Sequence, residues 1–171
     1  MECRSLLLIL FLISCIYTVK APTPDLALIV EVTAKRKKTY TNKELHLLAR
    51  LVYAESGGEP YDGKLATANV VVNRMQRKGY TLREVVYQKG QFDGIRTSRF
   101  KVTKKGEELA FQQCLKAAEE ILEGKRILPT TVEYFHNPNT STDSKWTRYI
   151  EKHQYKKIGR HLFCHNPKQL A

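Results

Sequence analysis

LHLLARLVYAESGGEP, residues 45–60, runs an apolar stripe at helical spacing into a carboxylate and then into paired glycines. Leu45, Leu48, Leu51 and Val52 recur at three- and four-residue intervals, the signature of one buried helix face. Glu55 lies seven residues past Leu48 and three past Val52, so it falls on the same face. Desolvation there disfavours the charged carboxylate, and the negative end of the helix dipole acts in the same direction if Gly57 and Gly58 end the helix. Both effects raise the pKa. A carboxyl group that stays protonated near neutral pH beside a glycine-lined opening suits a general acid in glycoside cleavage. The alternative is a Glu one turn from a helix end that bends back to solvent or pairs with Arg50 or Lys64.

Upstream of this stretch, Leu6 to Ile16 is apolar except for Ser14. That matches the core of a signal peptide and is short of the ~20 residues that span a bilayer. Residues 1–21 are therefore expected to act in export, as a signal peptide or an N-terminal membrane anchor. Val19-Lys20-Ala21 before Pro22 offers small residues for cleavage, and Leu12-Ile13-Ser14-Cys15 resembles a lipoprotein signal. Residues 22–40, with Pro22, Pro24 and the run Lys35-Arg36-Lys37-Lys38, read as a basic linker. Residues 41–168 remain as one catalytic domain.

Composition supports that division. The 171 residues are 42% hydrophobic and 27% charged, as in a globular domain with a sizeable core. The formal charge of +12 favours anionic polymers as partners: nucleic acid, anionic lipid or bacterial wall polymers. Cys3 and Cys15 lie in the export segment, leaving Cys114 and Cys164 as either one disulfide or two buried thiols. His161, Cys164 and His165 are close in sequence, but strand alternation sets Cys164 opposite both histidines, so no metal site is expected.

Downstream elements follow from caps and breakers. Thr41-Asn42-Lys43-Glu44 is a capping box that starts the first helix, and Thr81-Leu82-Arg83-Glu84 starts a short one. Between them a helix is expected from Gly63 to about Gln76, with Leu65, Ala68 and Val72 along one face. Asn69 and Asn73 share a face and can present amides to a sugar or to neighbouring backbone; the backbone role is preferred. Lys89 to Gly94 forms a loop. Beyond the basic connection Arg96 to Lys105, the longest helix is expected over Glu107 to Glu123, with Ala110, Cys114, Ala117 and Ile121 inward. Thr130 to Phe135 has strand composition, a polar loop carries Trp146, and Lys157 to His165 reads as a strand after a turn, paired with the Val132 segment. The expected class is α+β, a mainly helical body with a small antiparallel sheet.

The ordered blocks Leu51 to Pro60, Ala68-Asn69-Val70-Val71-Val72-Asn73-Arg74, Gly90-Gln91-Phe92, Tyr134-Phe135-His136-Asn137-Pro138, Trp146 and Ile158 to Phe163 resemble the spore cortex-lytic, SleB-type, cell wall hydrolases. The resemblance covers about residues 45 to 165. It implies a fold similar to the lysozyme-like lytic transglycosylases, with Glu55 as the catalytic acid. Two departures stand out: Cys164 occupies a position where such sequences usually show Tyr, and Ile95 to Lys105 is unusually basic.

The resemblance implies cleavage between N-acetylmuramic acid and N-acetylglucosamine with Glu55 as general acid and then base. A lytic transglycosylase closes the muramic 6-hydroxyl on its own anomeric carbon, giving a 1,6-anhydro end without a second carboxylate. A hydrolytic muramidase needs a partner carboxylate, for which Glu59 and Asp93 are the candidates, Glu59 with local capping or pairing as its alternative. Gln91, Tyr134, His136, Asn137 and Trp146 are candidate groove residues through hydrogen bonds and stacking on sugar faces. No cofactor is expected, nor nucleic acid as a partner, and the chain is expected to be a monomer. Its expected partners are peptidoglycan glycan strands and, through the basic linker, anionic wall polymer or a membrane surface. Competing readings are a wall amidase and a non-enzymatic basic module that binds anionic polymer or nucleic acid in a salt-sensitive way.

Overall fold

The computed structural model of the protein describes residues 38–101, 103–142 and 144–170. The export segment 1–21, with Cys3 and Cys15, and the linker as far as Lys37 lie outside the described residues. Lys38 to Tyr40, assigned above to the linker, already belong to the domain: Lys38 Nζ donates to Glu119 Oε1 at 2.9 Å and the Tyr40 hydroxyl to Glu123 Oε1 at 3.2 Å.

Helix α1, Asn42–Ser56, begins at the expected capping box, with Thr41 Oγ1 accepting from Glu44 N at 3.2 Å and Glu44 Oε2 from Thr41 N at 2.7 Å. Its stripe is buried through Leu45, Leu48, Leu51 and Val52, joined by Ala49 and Tyr53. Gly57 ends the helix while keeping helical φ; its N–H donates to the Tyr53 carbonyl at 3.0 Å.

Helix α2, Tyr61–Lys78, starts after Pro60 and stops at Gly79, whose φ of 64° is left-handed. With 18 residues against 15, it is longer than the helix expected to be longest. It begins two residues earlier than expected because Pro60 and Tyr61 can open a helix and Gly63 need not. Gly63 to Arg74 are all buried, so α2 is the central rod around which the other elements pack. Asn69 and Asn73 are structural. Asn69 Oδ1 accepts from the Ile127 and Leu128 amides at 2.8 and 3.1 Å, and Asn73 Nδ2 donates to the Pro129 and Val132 carbonyls, both at 2.8 Å.

A second capping box opens α3, Leu82–Val86. The Lys89–Gly94 loop then passes into a 3-10 turn, Gly94–Arg96, and the short α4, Ser98–Lys101. The basic connection is thus partly helical, and Arg99 is paired with Glu107. Helix α5, Glu108–Leu122, packs on α1 and α2 through Phe111, Cys114, Ala117, Ala118 and Ile121; the small side chains permit the close approach.

The sheet is antiparallel with order β1-β3-β2, built from β1, Val132–His136, β2, Gln154–Ile158, and β3, His161–His165. His136 stands opposite Leu162 and Val132 opposite His165. The expected strand after a turn is β3, paired with the Val132 segment as expected, while Lys157 and Ile158 end β2. Gly159 and Arg160 turn a hairpin, with Gly159 at a left-handed φ of 60° where a Cβ would collide with the Glu59 carboxylate. Between β1 and β2 lies α6, Lys145–Glu151, started by Ser144, which accepts from Thr147 N. Trp146 therefore lies on the first turn of a helix and not in a loop. Cys164 keeps β3 intact despite departing from the family pattern, because its thiol is fully buried beside Ile150 and Leu162. Cys114 and Cys164 are both free, and burial pushes each thiol up to about 12.

Candidate active site

The last turn of α1 delivers Glu55 to the floor of a cleft of about 900 Å³. Its carboxyl is half-buried, and Oε1 accepts a 2.6 Å hydrogen bond from the Gly94 backbone N–H. Neither alternative partner reaches it. Arg50 Nη1 donates to Thr103 Oγ1 at 2.9 Å with its guanidinium over the Phe111 ring, and Lys64 donates to the Glu59 carbonyl oxygen. Burial raises the Glu55 pKa; the Gly94 hydrogen bond opposes the rise, the Asp93 charge adds to it and the Arg74 charge opposes it.

Gly94 is required at its position. A Cβ there would stand 2.7 Å from Glu55 Oε1 and 3.0 Å from Ala54 Cβ, so only a bare Cα lets the loop backbone reach the carboxyl.

The five candidate groove residues, Gln91, Tyr134, His136, Asn137 and Trp146, all line the cleft that holds Glu55. Gln91 comes from the loop before Gly94. Tyr134 and His136 come from β1 and Asn137 from its end, while Trp146 from α6 meets Tyr134 edge-on at 6.0 Å between ring centroids. His136 Nδ1 is 3.2 Å from Ser141 Oγ, and burial lowers its pKa, so the imidazole is neutral at neutral pH.

The two further carboxylates differ. Glu59 does not pair locally as the alternative reading had it: it is held across 101 residues by Arg160, whose backbone N and Nε donate to it at 2.8 and 2.7 Å. Burial alone would raise its pKa, but the Arg160 bonds outweigh burial and hold the carboxyl below its ordinary value. Asp93 is exposed at the cleft edge beside Gly94, and its side chain has neither hydrogen bond nor ion pair among the described residues. No cluster of His, Cys, Asp and Glu suited to a metal ion occurs among the described residues.

Sequence reasoning missed Arg74, Arg160 and His161, which also line the cleft, and the backbone contact of Gly94 with Glu55. Arg74 was visible in principle: it lies four residues past Val70 on an apolar helix, the same anomaly that marks Glu55. Gly94 acts through its backbone, which leaves no side-chain signal.

Residues 58–164 match a family model described as Cell Wall Hydrolase. The chain belongs to the cell wall hydrolase family. Among proteins similar to it, the spore cortex-lytic enzyme of Bacillus cereus is 32% identical over 127 residues, covering 73% of this chain and 45% of that protein. That of Bacillus subtilis is 30% identical over 137 residues, covering 78% and 41%. The chain thus spans less than half the length of these curated relatives. Among solved structures, the catalytic domain of the germination-specific lytic transglycosylase SleB from Bacillus anthracis superposes with a TM-score of 0.62 at 30% identity, over 75% of this chain and 98% of that domain. The SleB catalytic domain from Bacillus cereus gives 0.61 at 31% identity, over 75% and 94%. The fold expectation, a mainly helical domain with a small antiparallel sheet like the lytic transglycosylases, is met by these neighbours. The cell wall hydrolase match begins three residues past Glu55.

Proposed function

We propose that this cell wall hydrolase domain degrades peptidoglycan by cleaving the bond between N-acetylmuramic acid and N-acetylglucosamine, as a lytic transglycosylase. The observation that carries the reading is the Glu55 carboxyl, desolvated on the cleft floor and oriented by the 2.6 Å Gly94 hydrogen bond. Glu55 gives its proton to the bridging oxygen as the bond to the muramyl anomeric carbon breaks and oxocarbenium character develops. The muramyl 6-hydroxyl then bonds to that carbon while its proton passes to the Glu55 carboxylate. The acid is regenerated, no water is consumed, and the product ends in a 1,6-anhydro ring. Gln91, Asn137 and His136 offer hydrogen bonds to the sugars, and Tyr134 and Trp146 offer aromatic faces.

A hydrolytic reading is favoured by one observation, the exposed Asp93 carboxylate beside the Glu55 site. Glu59 is a poor partner because Arg160 already occupies both of its oxygens. Digestion of purified peptidoglycan followed by mass analysis separates the readings. We expect anhydro-muramyl ends. Reducing muramic ends would move the assignment to a muramidase, and free amino groups without new sugar ends to an amidase. Spore cortex is the first substrate to test, given what the relatives are named for. Export through residues 1–21 would bring the domain to the wall, and the basic linker residues Lys35, Arg36 and Lys37 would hold it on anionic polymer. No helix among the described residues is long and apolar enough to cross a membrane.

The acid must be protonated to act, so activity is full below the Glu55 pKa and falls as pH rises through it. Burial places that limb above the ordinary carboxylate value of about 4.3. A profile of kcat/KM against pH is expected to hold its plateau through that value and decline on the alkaline side. A decline centred at or below it would remove the case for Glu55.

A further inference from the structure

Arg74 is a cation in an unusual place. It is 5% exposed on the central helix, yet it lines the same cleft as Glu55. Its guanidinium lies over the Phe92 ring at 4.8 Å and the Tyr134 ring at 5.4 Å, so two aromatic rings hold the group. Nε donates to the Glu133 carbonyl at 2.7 Å, and this is the guanidinium's one hydrogen bond among the described residues; Nη1 is buried with no acceptor. Burial brings its pKa down to about 10, so it stays charged at neutral pH.

A structural role accounts for the ring contacts and the Nε bond. It leaves Nη1 buried without an acceptor, which is costly, and Nη2 unpaired among the described residues. Such a group on a cleft wall is completed by an acceptor that arrives with the ligand. Phe92, against which the guanidinium packs, lies two residues before Gly94, whose N–H holds the Glu55 carboxyl, and Arg74 and Glu55 line the same cleft, so the acceptor belongs next to the bond being cut. In an N-acetylated glycan the 2-acetamido group is attached to the carbon next to the anomeric carbon. The lactyl ether of muramic acid is one carbon further away.

We propose that Arg74 is a substrate-contacting specificity residue, whose guanidinium donates to the 2-acetamido carbonyl oxygen of the sugar attacked at its anomeric carbon. This rests on the glycan-cleaving reading above. The contact selects N-acetylated over de-N-acetylated strands and sets the ring's orientation over Glu55. A free amine in place of the acetamide removes the acceptor and sets a second cation against Arg74.

The test compares wild type and Arg74→Lys on three substrates: peptidoglycan, the same material de-N-acetylated, and that material re-N-acetylated. Lys keeps the charge and much of the stem but not the forked reach, and thermal melting checks that the variant folds. Wild type is expected to lose about 10- to 100-fold in kcat/KM on the de-N-acetylated strands and to recover on re-acetylation. Arg74→Lys is expected to lose a similar factor on peptidoglycan but little more on de-N-acetylated strands. Equal wild-type rates on all three substrates overturn the assignment without any variant. An equal loss by Arg74→Lys on every substrate also overturns it and leaves the peptidoglycan reading intact. A wild type that cuts none of them overturns both.

Discussion

Glu55→Gln is expected to lower the release of muramyl fragments by about 100- to 10,000-fold, the range over which a positioned acid contributes. Gln keeps the size of Glu and an Oε1 acceptor for the Gly94 N–H, so the loop is expected to stay in place. What disappears is the proton. Stability moves the other way. Burial raises the carboxyl pKa in the folded state above its unfolded value, so between the two the folded chain binds more protons and stability falls as pH rises. The amide cannot ionise and escapes that penalty. The melting temperature of Glu55→Gln at neutral pH should therefore equal or exceed that of wild type while cleavage collapses. Undiminished cleavage by a folded variant would falsify the role assigned to Glu55.

Glu55 was legible in the sequence because its anomaly is local: a carboxylate in register with Leu48 and Val52 needs no tertiary information. The two capping boxes and the paired amides of α2 were readable for the same reason. The misses share the opposite property. The Glu59–Arg160 pair joins residues 101 apart, and the Gly94 contact is made by backbone, so neither has a spacing to recognise. Strand β2 reads QYKKI and is exposed along most of its length; without a buried face it lacks the alternation that betrays a strand. Helix α6 is only seven residues long and begins at Ser144 with Thr147 in the third position, in place of the usual Glu or Gln. By sequence Trp146 therefore reads as part of a loop, and its edge-on contact with Tyr134 has no local signal.

The Asn73 amide is expected to matter for stability as Glu55 does for chemistry. Its Nδ2 donates to the Pro129 and Val132 carbonyls at 2.8 Å each, and its Oδ1 accepts from Asn69 Nδ2 at 2.9 Å. These bonds tie the middle of α2 to the turn that starts β1, and β1 carries Tyr134 and His136 into the cleft. Pro129 O keeps the Val132 N–H at 3.0 Å, but Asn73→Ala takes their partner from the Val132 carbonyl and the Asn69 amide in a buried setting, at about 1–3 kcal/mol for each unsatisfied group. The expected loss is about 2–6 kcal/mol, a large share of the roughly 5–15 kcal/mol that holds a domain together. Urea unfolding should show a midpoint shifted far down with little change in slope. Cleavage by Asn73→Ala should fall with the folded fraction and recover in part on cooling toward the temperature of greatest stability, whereas Glu55→Gln stays inactive at every temperature at which it is folded. A loss below about 1 kcal/mol in Asn73→Ala would mean that water or a neighbouring donor satisfies the exposed carbonyls, and that the tie between α2 and β1 rests on the apolar contacts of Ala66, Val70, Val132 and Phe163.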